Sequence, residues 1–193
     1  MRKVSFFPYG RQKDIVDKNP IIAKIVEWGN IPENAAKIQR AYEFRGGWEP
    51  WAQVELAIYL QDQFGKAEVD ITREDGVYEN KKISDILFHT KPGGKNFYNM
   101  IELKCEYKDR AADFPGEVKK DCKKVLEANI KSSHYPLKAW VIALSITKNS
   151  ELDKLKLDNK SVGLVKYPHG ITLPGNHAVV SIYWGAKVFD DEQ

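Results

Sequence analysis

Two cysteines in 193 residues are too few for a disulfide framework, and Cys105 and Cys122 show no metal-ligand spacing. Both fall in predicted regular elements and read as buried free thiols. No stretch approaches the roughly 18 uninterrupted apolar residues of a membrane span, so no membrane partner is expected. Met1-Arg2-Lys3-Val4-Ser5-Phe6-Phe7-Pro8 carries two cations but lacks the apolar region of roughly 7–15 residues that a secretory signal needs, which predicts a cytoplasmic protein. A phosphate-cradling loop of the G-x-x-x-x-G-K type is missing: Gly93-Gly94-Lys95 lacks the first glycine, so NTP use is not expected. The histidines His89, His134, His169 and His177 have no H-x-x-x-H pairing and read as turn or surface residues. Charge of one sign is also scarce in net terms, because 30 Lys+Arg against 27 Asp+Glu leave only +3, far from a DNA-coating protein.

What is present is a core. With 42% apolar and 11% aromatic residues the chain can bury a sizeable one, and no repeat, low-complexity tract or long linker divides it. Residues 1–193 therefore read as one domain: an N-terminal helical segment (1–47), a core (48–147) and a C-terminal β extension (148–193).

Asn19-Pro20 followed by Ile21, Ile22, Ile25 and Val26, and stopped by Gly29, predicts a short capped helix, and a second spans about Pro32 to Phe44. Gly46-Gly47 breaks the chain before Trp48-Glu49-Pro50. From Trp51 to about Gln63, Trp51, Val54, Leu56, Ile58, Tyr59 and Leu60 predict a largely buried helix. Ala67–Arg73, Lys82–Phe88 and Asn96–Tyr107 read as a three-strand meander, separated by Glu74-Asp75-Gly76 and Pro92-Gly93-Gly94. After Pro115-Gly116 the spacing of Val118, Cys122, Val125 and Leu126 predicts an amphipathic helix over about 116–130 with its lysines outward. The apolar run Ala139–Thr147 suits a strand covered on both faces. Ser161–Tyr167 and Ala178–Trp184 complete an α-β-β-β-α-β order followed by two strands.

Six acid-x-lysine triplets begin at Glu79, Glu102, Glu106, Glu117, Asp121 and Asp158, and position selects among them. In a strand, residues i and i+2 share a face, so Glu102 and Lys104 become neighbours while Ile101, Leu103, Cys105 and Tyr107 anchor the other side. Asp85 stands inside Ile83-Ser84-Asp85-Ile86-Leu87-Phe88, where an unpaired carboxylate is costly. Glu55 lies near the apolar stripe of its helix. Glu106, Asp121 and Lys124 are candidates for a supporting shell. Lys91, Lys95, Lys120 and Lys124 form a basic rim suited to nucleic-acid phosphates, although for each lysine a solvated surface role is the bland alternative. Trp48 and Trp51 read as core residues rather than base-stacking ones.

Asp85 and Glu102-Leu103-Lys104 in that element order resemble the PD-(D/E)XK superfamily of restriction-endonuclease-like nucleases over roughly Trp48 to Thr147. The proline that often precedes the aspartate is replaced by Ser84. The resemblance implies an α/β fold with a central mixed sheet flanked by helices, and a catalytic set of Glu55, Asp85, Glu102 and Lys104. It further implies Mg²⁺, with Mn²⁺ as a substitute, held by Asp85, Glu102 and the Leu103 carbonyl, and Glu55 serving a second ion. DNA is the expected substrate, cut to 5′-phosphate and 3′-hydroxyl ends. RNA cleavage, a non-catalytic binding module and pairing into a homodimer stay open alternatives.

Overall fold

The computed structural model describes residues 20–147, 152–157, 160–175 and 178–189; Asn19, Asp158 and His177 lie outside them, as does the segment before Pro20. Helices α1 (Pro20–Gly29) and α2 (Pro32–Tyr42) are followed by α3 (Glu49–Phe64) and the strands β1 (Val69–Asp75), β2 (Ser84–Thr90) and β3 (Phe97–Cys105). Then come α4 (Phe114–Leu126) and β4 (Leu137–Ser145). The remaining strands are β5 (Lys156–Leu157), β6 (Lys160–Ser161), β7 (Val165–Lys166), β8 (Ile171–Thr172) and β9 (Val179–Phe189). The main sheet runs β1-β2-β3-β4-β9-β7, with β8 also paired to β9. β1, β2 and β3 pair antiparallel, whereas β3 and β4 are parallel. A parallel pair needs a crossover connection, and α4 lies within it. From Glu49 to Ser145 the order is thus α-β-β-β-α-β in a mixed open sheet.

Strand alternation builds a layer on each face. Ile86, Phe88, Ile101, Leu103, Cys105, Trp140, Ile142 and Leu144 join α1, α2 and α3 in one apolar cluster. Leu87, Met100, Ala139, Val141 and Ala143 join Val118, Cys122 and Val125 of α4 in the other. Every residue of β4 between Ala139 and Ser145 is buried, as a doubly covered strand requires. Cys105 and Cys122 are free and buried. No described helix is long and apolar enough to cross a membrane.

β1 is outermost on its side, and its first half is covered by a side chain. The Gln61 amide donates to the Val69 carbonyl and accepts from the Ile71 N–H at 3.0 Å, so a helix supplies what a neighbouring strand would.

Several expected elements are displaced, each for a local reason. α3 begins at Glu49 rather than Trp51, because Pro50 falls in the first turn, where its missing N–H costs nothing. Its buried face is Ala52, Gln53, Leu56 and Leu60, while Val54 and Ile58 are exposed, so the helix is half-buried rather than largely buried. Pro115 likewise initiates α4, which ends at Leu126; beyond it Ile130 bridges Tyr78. The single strand expected over Ser161–Tyr167 is two short ones, β6 and β7, divided at Gly163 with φ +76°.

Candidate functional site

β2 and β3 part company at the lower end of their ladder, and the site sits in the fork. Their register runs from Thr90↔Phe97 to Ile86↔Ile101 and stops there. One residue further, the Asp85 side chain replaces the missing strand partner, its Oδ2 accepting the Leu103 N–H at 2.7 Å. The N–H and C=O of a strand residue point to the same edge, so the Leu103 carbonyl also faces the fork. Leu87 and Met100 belong to the α4-side cluster, which fixes Asp85, Glu102 and Lys104 on that same face. The i, i+2 spacing places Glu102 and Lys104 side by side, and Asp85 faces them from the neighbouring strand.

The face is completed by residues from three other segments. Glu102 is 2% exposed; its Oε1 accepts the Tyr78 hydroxyl and its Oε2 accepts Lys124 Nζ at 2.6 Å. Lys124 also donates to the Ile83 carbonyl at 2.7 Å and lies 5.0 Å from the Tyr78 ring centre. Lys104 Nζ donates to Glu49 Oε1 at 2.9 Å and lies 3.5 Å from Asp121 Oδ2. That Asp121 oxygen is buried and has no hydrogen-bond partner. Glu49 Oε2 accepts the Cys105 N–H at 3.1 Å.

Four carboxylates and two amines therefore share one half-buried face, a net charge of −2 when all are ionised. Burial pushes Glu102 up to about 7 and Asp121 up to about 6. Asp85 and Glu49 are raised for the same reason, partly offset by hydrogen bonds from Leu103 and by the nearby lysines. The carboxylates also repel one another: Asp85 raises Glu102, Glu49 and Asp121. Burial pulls Lys104 down, yet Asp121, Glu49 and Asp85 more than reverse this and hold it above the usual lysine range. Such a face favours any added positive charge. Among the described residues no three His, Cys, Asp or Glu side chains form a group that could hold a metal ion; Lys104 pairs with Glu49 and Asp121, and Lys124 with Glu102.

Beside Lys104 a cleft of about 200 Å³ opens, lined by Gly47, Glu49, Lys104, Tyr107, Arg110 and Glu117 among others. A Cβ on Gly47 would meet the Tyr107 ring at 2.8 Å, so glycine there keeps this wall in place.

Glu55 is not part of the site. Six residues after Glu49 on the same helix, it is turned by about 240° and its charge acts on Lys37 of α2. Glu49 is the helix carboxylate beside Lys104, and a helix expected from Trp51 leaves it outside the helix. The only signal for it was an acidic residue at a helix start, which more often merely complements the helix dipole.

The basic rim is also rearranged. Lys124 points into the site, while Lys120 is exposed and pairs with Glu117 at 2.8 Å. Lys91 and Lys95 flank the β2–β3 turn at the opposite end of the strands, six and seven residues from Asp85 and Glu102, or roughly 20 Å away. His89 stacks on Tyr98 near that turn, Tyr98 also touches His134, and His169 packs on Tyr167, so none of these reaches the carboxylates. Trp48 is buried and donates to the Glu106 carbonyl at 2.7 Å, and Trp51 packs against Trp28. Glu106 is structural: its Oε2 accepts the Ser145 hydroxyl and the N–H groups of Ile146 and Thr147.

No family model, curated protein or solved structure matches this chain.

Proposed function

We propose that this chain is a metal-dependent nuclease of the PD-(D/E)XK kind, acting on DNA. The observation that carries the reading is the fork itself. Asp85 on β2 and Glu102 and Lys104 on β3 share one face at the point where the two strands separate, within an α-β-β-β-α-β order.

The residues fit a hard divalent ion such as Mg²⁺ or Mn²⁺ in charge and donor type. Asp121 keeps a buried oxygen without a hydrogen-bond partner, and four burial-raised carboxylates gain from a nearby cation. Asp85, Glu102 and the Leu103 carbonyl would hold it, with Asp121 and Glu49 close behind. When bound, such an ion neutralises charge on a phosphodiester and lowers the pKa of a water.

The chain's own groups supply the rest. Lys104, kept cationic by Glu49, Asp121 and Asp85, can orient an attacking water and stabilise negative charge on a phosphate oxygen. Glu49 fixes the Lys104 amine by a hydrogen bond and is itself held by the Cys105 N–H, so the amine has little freedom to wander. The cleft of Gly47, Tyr107 and Arg110 gives a substrate strand access to Lys104.

The test is incubation of the purified protein with plasmid DNA and, separately, structured RNA, with Mg²⁺, Mn²⁺ or EDTA. Cleavage of DNA with metal, abolished by EDTA and by Asp85→Asn, is the expected result, leaving 5′-phosphate ends. Cleavage confined to RNA would change the substrate class. Equal inertness of wild type and Asp85→Asn on both polymers would reject the reading.

A further inference from the structure

Among the described residues Lys124 is the one cation that Glu102, the most deeply buried carboxylate of the site, holds directly. Its surroundings are unusual for a helix lysine that the α4 sequence pattern would place outward. The ammonium meets a carboxylate oxygen at 2.6 Å and a main-chain carbonyl at 2.7 Å, over the face of an aromatic ring. Oxygen donors of these two types are also what a hard metal ion takes. Tyr78 occupies the other Glu102 oxygen, so the carboxylate has no oxygen free of a donor. A divalent ion approaching Oε2 would meet the ammonium at short range, and two cations cannot share that oxygen cheaply. Asp121 and Lys124 lie three apart on one flank of α4, and the four-carbon lysine stem lets the amine swing toward the site mouth without moving the helix.

We propose that Lys124 is a tethered counter-cation that competes with the metal ion for Glu102, so that metal entry requires the Lys124 ammonium to leave its seat between Glu102 and the Ile83 carbonyl. This inference rests on the nuclease reading above, but it concerns how the site is guarded rather than what it cuts. Lys124 acts here as a positioning residue. It keeps the buried Glu102 paired before the ion arrives, and its displacement sets the metal concentration at which the site fills.

The experiment is Mn²⁺ binding without nucleic acid, by calorimetry and by loss of the free-ion paramagnetic resonance signal. Wild type is compared with Lys124→Met, Lys124→Gln and Lys124→Arg. Removing the charge in Lys124→Met or Lys124→Gln is expected to tighten Mn²⁺ binding about tenfold, while Lys124→Arg stays near wild type. Lys124→Gln keeps a donor near Glu102 and guards against a Met variant that fails to fold, which circular dichroism would detect. In parallel, the thermal shift produced by saturating Mn²⁺ should be larger in the neutral variants than in wild type. If wild type binds Mn²⁺ through Asp85, as judged by loss in Asp85→Asn, and the folded neutral variants bind no more tightly, the competition is rejected while the nuclease reading stands. If wild type and all variants bind no Mn²⁺, both fall.

Discussion

Glu49 grips Lys104 and the main chain of the next residue with one carboxylate, Oε1 to the amine at 2.9 Å and Oε2 to the Cys105 N–H at 3.1 Å. This two-point hold ties the start of α3 to the end of β3. Glu49→Gln should weaken it and lower DNA cleavage by about 10–100-fold, whereas Glu55→Gln should stay within about twofold of wild type. Initial rates for the two variants check the assignment; the reverse order would contradict it.

Asp85→Asn keeps an oxygen acceptor for the Leu103 N–H, so the fork should survive. Its negative charge is lost. Metal-dependent cleavage should fall by at least about 10²-fold with little change in thermal stability. A large loss of stability would mean that Asp85 serves the fold rather than the site.

Stability should fall as pH rises through the neutral range. Glu102, at about 7, and Asp121, at about 6, are raised above their ordinary values, so the folded protein binds protons that the unfolded chain has already released. Their contribution is complete below about pH 4 and is lost as pH rises through about 6 for Asp121 and about 7 for Glu102. Between pH 5 and pH 8 the metal-free Tm should decline by several degrees, on the order of 5 °C. Glu102→Gln should flatten the decline, and Mg²⁺ at pH 8 should restore part of it. A Tm that rises over this interval in wild type would contradict the assignment.

Tyr78→Phe removes the hydroxyl that donates to Glu102, in surroundings closed to water. The carboxylate oxygen then lacks its donor. A loss of about 1–3 kcal/mol in urea unfolding is expected. An unchanged denaturation midpoint would show that Glu102 finds another partner.

Glu106→Ala strips one acceptor from three donors at the end of β4. The cost should be about 3 kcal/mol or more, read by the same unfolding assay. It tests whether the second acid-x-lysine triplet of this strand region is structural rather than chemical.

Much of this arrangement is legible in the chain because strand periodicity is unambiguous there. Ile101, Leu103 and Cys105 alternate with Glu102 and Lys104, and that pattern alone puts the acid and the amine on one face. The run from Ala139 to Ser145 likewise announces a strand covered twice. Helix ends were harder to read, and the errors there reached the site. Proline in Glu49-Pro50 and in Phe114-Pro115 starts a helix, but the same residue beside glycine also marks a break. A helix start at Trp51 leaves Glu49 outside the helix and makes Glu55 its candidate carboxylate, whereas the observed start puts Glu49 in the first turn. Lys124 is named by the sequence both as a supporting-shell candidate beside Asp121 and as one of the outward lysines of α4; contact with Glu102 and Ile83 decides for the first and distinguishes the one lysine that turns inward. Tyr78 lies between elements, where no periodicity exists to locate it.

The amide of Gln61 also limits how two copies could associate. A strand from another molecule laid along the first half of β1 would have to displace its bonds to Val69 and Ile71, so sheet continuation across that margin is opposed from within the protomer. An assembly of two copies would therefore have to use another surface than this half of β1, and its geometry would follow from that surface.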